Sequence, residues 1–197
     1  EIANAFPSGF DGEVPLGWGV KKIGDLARFI KGKKPISVFN VQENDTLPHI
    51  LVSALAGKYT EYATTERAVV IGIKDTLVLM DGSASGKVSV GHYGVLGSTL
   101  AKLALNDEGY WAILYSFLKE KEKDIQENTT GTSIPHTDKN LVLNYDFIIP
   151  CNFLLNSFNI IFENHQNSII NRREETFSLE KLRDELLPKL LSGEIEL

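Results

Sequence analysis

The sequence predicts a mixed α/β (α+β) fold: a strand-rich globule of about 150 residues followed by a long C-terminal coiled-coil helix. Three observations carry that reading. Apolar residues recur at steps of three and four through the last forty positions, the period of a helix. The middle of the chain is broken into short β-branched runs punctuated by glycine, aspartate or asparagine. One strongly amphipathic run interrupts those strands around Tyr110.

Taken in order, residues 1–14 form an arm rich in glycine, proline and acid that leads into Pro15-Leu16-Gly17-Trp18. From Val20 to Ile30 the apolar positions fit short strands around a single helical turn. Lys31-Gly32-Lys33-Lys34-Pro35 then breaks regular structure and presents three ammonium groups on a turn. Ala68 to Ile73, Thr76 to Met80, Lys87 to Gly91 and Leu141 to Ile149 read as strands. Tyr110, Ile113, Leu114, Phe117 and Leu118 fall on one face of a helix whose end, Lys119 to Asp124, is charged and solvated. Gly131-Thr132-Ser133-Ile134-Pro135-His136 is a loop. The globule thus occupies residues 1–155 and the helix 156–197.

In that helix the seam runs through Phe158, Phe162, His165, Ile169, Arg172, Thr176, Leu179, Leu182, Leu186 and Leu190. From Asn156 to Leu191 it would be a rod of about 54 Å, too long for the preceding residues to cover, so part of the seam needs a second helix. The alternative is a terminal helix folded back on its own domain. Polar seam residues set register and partner number at a cost in stability, a role that suits His165 and Arg172. Pro188 is expected to kink or end the helix, and Gly193 to cap it.

The chain has 197 residues, 43% hydrophobic and 23% charged, ordinary values for a soluble globular protein. No apolar stretch nears the roughly 18 residues of a membrane span, so a cytoplasmic protein is expected. Starting at Glu1, the chain suits either a processed protein or a piece of a longer one. Its single cysteine, Cys151, excludes an internal disulfide and reads as a small buried side chain. The net charge of −6 argues against indiscriminate nucleic-acid binding, but it is unevenly spread. Residues 21–60 carry +4, through Lys21, Lys22, Arg28, Lys31, Lys33, Lys34 and Lys58 against three acids, while residues 105–197 sum to −7.

Enzymatic signatures fail one by one. Gly82-Ser83-Ala84-Ser85-Gly86-Lys87 has three residues between its glycines where a P-loop needs four, and Val88 stands where the magnesium-holding hydroxyl belongs. His49, His92, His136 and His165 lack metal-ligand spacing. No nucleophile elbow or dinucleotide fingerprint is present. A non-catalytic binding protein without cofactor or metal is the expectation.

Glu13 to Leu26 resembles the opening of a target recognition domain in the specificity subunits of type I restriction-modification enzymes. Leu182 to Ile195 resembles the end of that family's conserved spacer helix, and Leu79-Met80-Asp81-Gly82, Gly86-Lys87-Val88 and Gly131-Thr132-Ser133-Ile134-Pro135 are similar to its internal signatures. The resemblance spans Glu13 to Leu197. It implies a non-catalytic subunit in which a recognition domain, here 1–155, reads one half of a bipartite double-stranded DNA target and a spacer helix, here 156–197, holds two such domains apart. A full subunit has two of each, so the resemblance implies pairing with a second recognition half or another copy through the helix. It also implies scaffolding of DNA adenine methyltransferase subunits, docked over Glu174, Glu175, Glu180 and Glu185, and of a restriction/translocase subunit.

For DNA contacts the expectation is Lys31, Lys33 and Lys34 at phosphates, where ammonium groups neutralise charge without reading sequence. Ser83, Ser85, Lys87, Thr132, Ser133 and His136 are expected on loops nearer the grooves, where hydroxyl and imidazole groups reach base edges. A structural coiled-coil oligomerisation module without DNA binding is the competing expectation, motivated by the helix and the net acidity.

Overall fold

A computed structural model of the chain describes residues 8–12, 14–131 and 133–195. Thr132 and most of the N-terminal arm therefore lie outside the described residues. The strands are β1 (Phe10–Asp11), β2 (Val14–Pro15), β3 (Gly19–Lys22), β4 (Ala27–Lys31), β5 (Val38–Phe39), β6 (Thr46–Ile50), β7 (Tyr62–Thr64), β8 (Val70–Ile71), β9 (Thr76–Leu79), β10 (Val88–Ser89), β11 (Gly94–Leu96), β12 (Leu100–Leu105) and β13 (Asp146–Ile149). The helices are α1 (Ile23–Leu26), α2 (Trp111–Glu120), α3 (Glu122–Glu127), α4 (Lys139–Asn144) and α5 (Asn152–Leu191).

Two larger sheets build the globule. One is antiparallel in the order β10-β9-β12-β4; the other runs β5-β7-β6-β11-β8, with a single parallel pairing between β6 and β11. Every residue of β9 is buried, because the period of two sends alternate side chains into two different cores. Leu77 and Leu79 join Leu100, Ile50, Ile71 and Leu96 between the sheets. Val78 and Met80 face Ala101, Leu103, Leu114, Leu118, Ile125 and Phe147, where the short helices cover the sheet. The expected helical turn between strands at Val20 to Ile30 is present as β3-α1-β4, and β3 pairs with β13 just before the long helix begins.

Four expectations are corrected. Leu141 to Ile149 is not one strand: the Asp138 carboxylate accepts from the backbone N–H groups of Asn140 and Leu141 and caps α4, leaving only Asp146–Ile149 extended. The charged end after α2 is a second helix, α3, that drives Ile125 into the core. Cys151 is half-buried and sits at the N-cap of α5. Pro188 does not end the helix, which starts at Asn152 and continues to Leu191. It closes there in a Schellman motif, with Gly193 N–H on Leu190 O at 3.2 Å, Glu194 N–H on Lys189 O at 2.9 Å, and Gly193 at φ +73°.

Forty residues make α5 about 60 Å long. Its first half lies on the globule. The Phe162 ring stands edge-on to Trp111 at 5.2 Å between centroids and tilts against Tyr115 at 5.6 Å. Asn159 Nδ2 donates to Gly109 O at 2.8 Å, and Glu163 pairs with Lys74 at 2.9 Å. The stripe facing the globule is Leu155, Asn159, Phe162, Gln166, Ile170 and Arg173. Trp111→Ala should therefore destabilise the chain by about 3 kcal/mol or more, the usual cost of deleting a buried aromatic. Denaturant melts should show that loss, and amide exchange should rise at residues 155–163 before it rises in the sheets.

Candidate nucleic-acid interface

Three segments distant in sequence meet at Asp81, two residues past the end of the doubly buried β9. Lys31, at the end of β4, places Nζ 2.8 Å from Asp81 Oδ2. His136 places Nδ1 2.8 Å from Oδ1, so one carboxylate accepts from both side chains. Burial pushes the Asp81 carboxyl up, but the Lys31 and His136 hydrogen bonds and charges outweigh it and hold the group below its ordinary range.

The backbone builds this arrangement. Thr130 and His136 exchange N–H···O bonds of 2.8 and 2.7 Å, closing the 130–136 loop on itself. Gly131, at φ +93°, sits where a Cβ would be 2.5 Å from Ile134 O, so the turn closes only on glycine. Thr137 fastens the loop to β9 through N–H on Met80 O at 2.9 Å and Oγ1 on Leu79 O at 2.6 Å. Gly82 N–H on Pro135 O ties the loop to the next turn. That turn, residues 82–87, joins β9 to β10 as a hairpin.

The structure sorts the expected contacts. Lys33, Lys34, Ser83 and Ser133 are exposed, and Lys87 is half-buried. Lys31 and His136 are not independent donors, since Asp81 engages both. Ser85 is corrected: at 2% exposed, with no partner for its hydroxyl among the described residues, it packs inside the hairpin and cannot reach a duplex. Asp81 is not among the contacts expected from the sequence, although it stands in Leu79-Met80-Asp81-Gly82, where a buried strand surfaces beside a glycine at φ +110°.

The helix offers a second surface. Apart from Phe162, the expected seam lies one position away from the globule-facing stripe, about 100° around the helix. Phe158, Ile169, Leu179, Leu182 and Leu186 are exposed large hydrophobics, as is Leu191 at 81%. His165, Arg172 and Thr176 are exposed too, and Leu190 is partly covered. Among the described residues no group of His, Cys, Asp and Glu could hold a metal, and no helix is long and apolar enough to cross a membrane.

Residues 15–152 match the family model described as the type I restriction modification DNA specificity domain. The chain is 34% identical over 145 residues to the MjaVIII specificity subunit of Methanocaldococcus jannaschii, covering 70% of this chain and 33% of that protein. It is 26% identical over 204 residues to the MjaIX specificity subunit of the same organism, covering 94% of this chain and 46% of the relative. Among solved structures, the S subunit of a type I restriction-modification system from M. genitalium shares the fold at a TM-score of 0.56 and 19% identity, over 93% of this chain and 48% of that one. The chain thus spans half or less of the length of these proteins.

A carboxyl whose folded value lies below its unfolded one stabilises the fold at neutral pH and loses that contribution as pH falls through the folded value. Asp81→Asn should cost about 1 kcal/mol at pH 7, the partners being half-exposed. Urea melts should show the gap to wild type closing as the buffer is taken below the ordinary carboxylate range, and a gap that is constant with pH would exclude this role for the carboxylate.

Proposed function

We propose a DNA-reading function on one premise: the chain belongs to the type I restriction modification DNA specificity family. In this reading the globule, 1–155 by sequence, is a target recognition domain that reads one half of a bipartite double-stranded target. Helix α5, with the residues after it, is the spacer. The observation that carries the reading is the convergence of Lys31, the 82–87 hairpin and the 130–136 loop on Asp81. It joins Asp81 and Gly82 of one family-like segment to the 130–136 loop of another, and exposed Lys33 and Lys34 follow Lys31 in the chain.

Chemistry divides the labour. Lys33 and Lys34 meet phosphates, which orient the domain without reading bases. Ser83, Ser133 and His136 stand on loops that can approach base edges, where hydroxyl and imidazole groups exchange hydrogen bonds. The chain performs no catalysis in this proposal. Adenine methyltransferase subunits, and through them a restriction/translocase subunit, assemble on α5, whose exposed residues include Glu174, Glu175, Glu180 and Glu185.

Leu179, Leu182 and Leu186 pair with the equivalent helix of a second recognition half or another copy of the chain. Their exposures of 58%, 50% and 37% support a covering partner, since a run of leucines at helical spacing gains most when a second helix buries it. The competing reading, an oligomerisation module without DNA binding, uses the same leucines but assigns nothing to the Asp81 cluster. A random-sequence duplex selection with the methyltransferase subunits present separates the two. Recovery of one sequence class supports DNA reading, and recovery of none removes it.

Lys33→Glu/Lys34→Glu should weaken duplex binding at low salt and flatten the plot of log affinity against log salt by about two, one per lost phosphate contact. Titrations from low to physiological salt measure both. Inserting seven residues after Glu180 preserves the seam's phase and lengthens the rod by about 10 Å, so the target's gap should grow by about three base pairs with unchanged half-sites. Sequencing the selected duplexes reads both quantities.

A further inference from the structure

We infer that the seat of α5 on Gly91 sets the angle at which the spacer leaves the globule, making Gly91, Gln166 and Arg173 determinants of the distance between two half-sites. The inference rests on the DNA-reading function proposed above. It adds a pivot to a rod whose length alone would otherwise set the gap.

Gly91 is buried and held at φ +77°, and a Cβ there would lie 3.0 Å from Gln166 Oε1, 3.7 Å from Ile170 Cγ1 and 3.8 Å from Arg173 Nη1. The helix therefore rests directly on backbone. Arg173 Nη1 donates to Gly91 O at 3.4 Å, and Gly91 N–H donates to Ile73 O at 3.1 Å, so the seat is bonded on both sides. Next to it His92 is 1% exposed, with Nε2 2.7 Å from Ser89 Oγ and Nδ1 3.2 Å from Tyr59 OH. Burial, reinforced by the nearby Arg173 charge, lowers His92 to about 4 and keeps the pedestal neutral at physiological pH.

Contacts at successive turns define the angle: Asn159 on Gly109, Phe162 on Trp111 beside the Lys74–Glu163 pair, and then Gln166 and Arg173 on Gly91. Beside this seat a cleft of about 410 Å³ lies between Gly91, Tyr59 and Tyr93 on the globule and Ile170, Arg173 and Phe177 on the helix. From Gln166 to Leu191 the helix runs about 38 Å. A shift of about half an ångström at Gln166, over the roughly 6 Å that separate it from Phe162, tilts the axis by about 5°. The far end then moves by about 3 Å, close to the roughly 3.4 Å rise of one base pair. The contact with Gly91 lies where a displacement that small is amplified.

The test uses the chain assembled with its methyltransferase subunits and duplexes in which the half-sites are fixed and the gap is varied. Gly91→Ala should shift the preferred gap by about one base pair without altering half-site sequence, and Gly91→Ala/Gln166→Ala, which frees the crowded space, should return the centre of the preference to the wild-type gap while accepting a wider range around it. Were Gly91→Ala too strained to fold, Gln166→Ala alone should widen the range of gaps accepted. Unchanged gap preference in folded variants overturns the inference while leaving DNA reading intact. A double variant that stays shifted also overturns it, by assigning the effect to backbone strain at Gly91. A wild-type assembly that selects no duplex overturns the DNA-reading function and this inference together.

Discussion

Strand β9 is buried on both faces, and such a strand leaves little freedom to the chain that leaves it. Its side chains hold two cores in register, and its backbone groups must be satisfied because no water reaches them. Leu79 O accepts from Gly86 N–H and Thr137 Oγ1, while Met80 accepts from Thr137 N–H and donates to Thr99 O. These bonds fix how the hairpin and the 130–136 loop emerge. Asp81 is the first residue beyond that constraint, so its carboxylate starts from a rigid base, and Lys31 and His136 inherit that rigidity through two bonds of 2.8 Å.

Helix α5 meets a different constraint. An isolated helix gains little from propensity alone, so a 40-residue rod keeps its place through the stripe it buries. Here two stripes coexist about 100° apart. One seats residues 155–173 on Trp111 and Gly91, and the other carries the exposed leucines beyond the globule. The seat mixes apolar packing at Leu155, Phe162 and Ile170 with hydrogen bonds from Asn159 and Arg173 to backbone carbonyls. Hydrogen bonds to backbone carbonyls fix register more sharply than aliphatic contact, which tolerates sliding.

Elements whose signal is local were legible in the sequence. The amphipathic run of α2, the β9 strand, the turn between β3 and β4 and the long helix each announce themselves through period and punctuation. Leu141 to Ile149 misled because its β-branched content outweighed Asp138, whose capping bonds decide for helix over Lys139–Asn144. Pro188 misled in the opposite sense. Its missing N–H forfeits one bond three residues before the helix ends, while the Schellman closure at Gly193 satisfies the final carbonyls. For the candidate interface, exposed Lys33, Lys34, Ser83 and Ser133 stand on the expected loops, but neither the burial of Ser85 nor the hub at Asp81 was legible. The hub depends on pairings across roughly fifty residues, which no local pattern encodes. Gln166 gave no signal either, since a glutamine among polar helix residues looks solvated until Gly91 is packed against it.

The acidic total of −6 bears differently on the proposed role once the fold places its parts. Beyond Phe177 the helix extends about 21 Å and carries Glu180, Asp184 and Glu185. Charges separated by more than a Debye length of about 8 Å are largely screened at physiological salt, so only acids nearer than that to Lys33 and Lys34 reduce their attraction for a phosphate backbone. Asp81 does cancel charge, because it lies within bonding distance of Lys31. A surface built only for affinity would omit it, since general attraction to phosphate rises with every uncompensated cation. One with Asp81 in place gives up part of that sequence-independent attraction and gains fixed directions for Lys31 and His136. Discrimination is a difference between affinities, so lowering the term common to all sequences while sharpening the directional one favours the reading of a particular half-site.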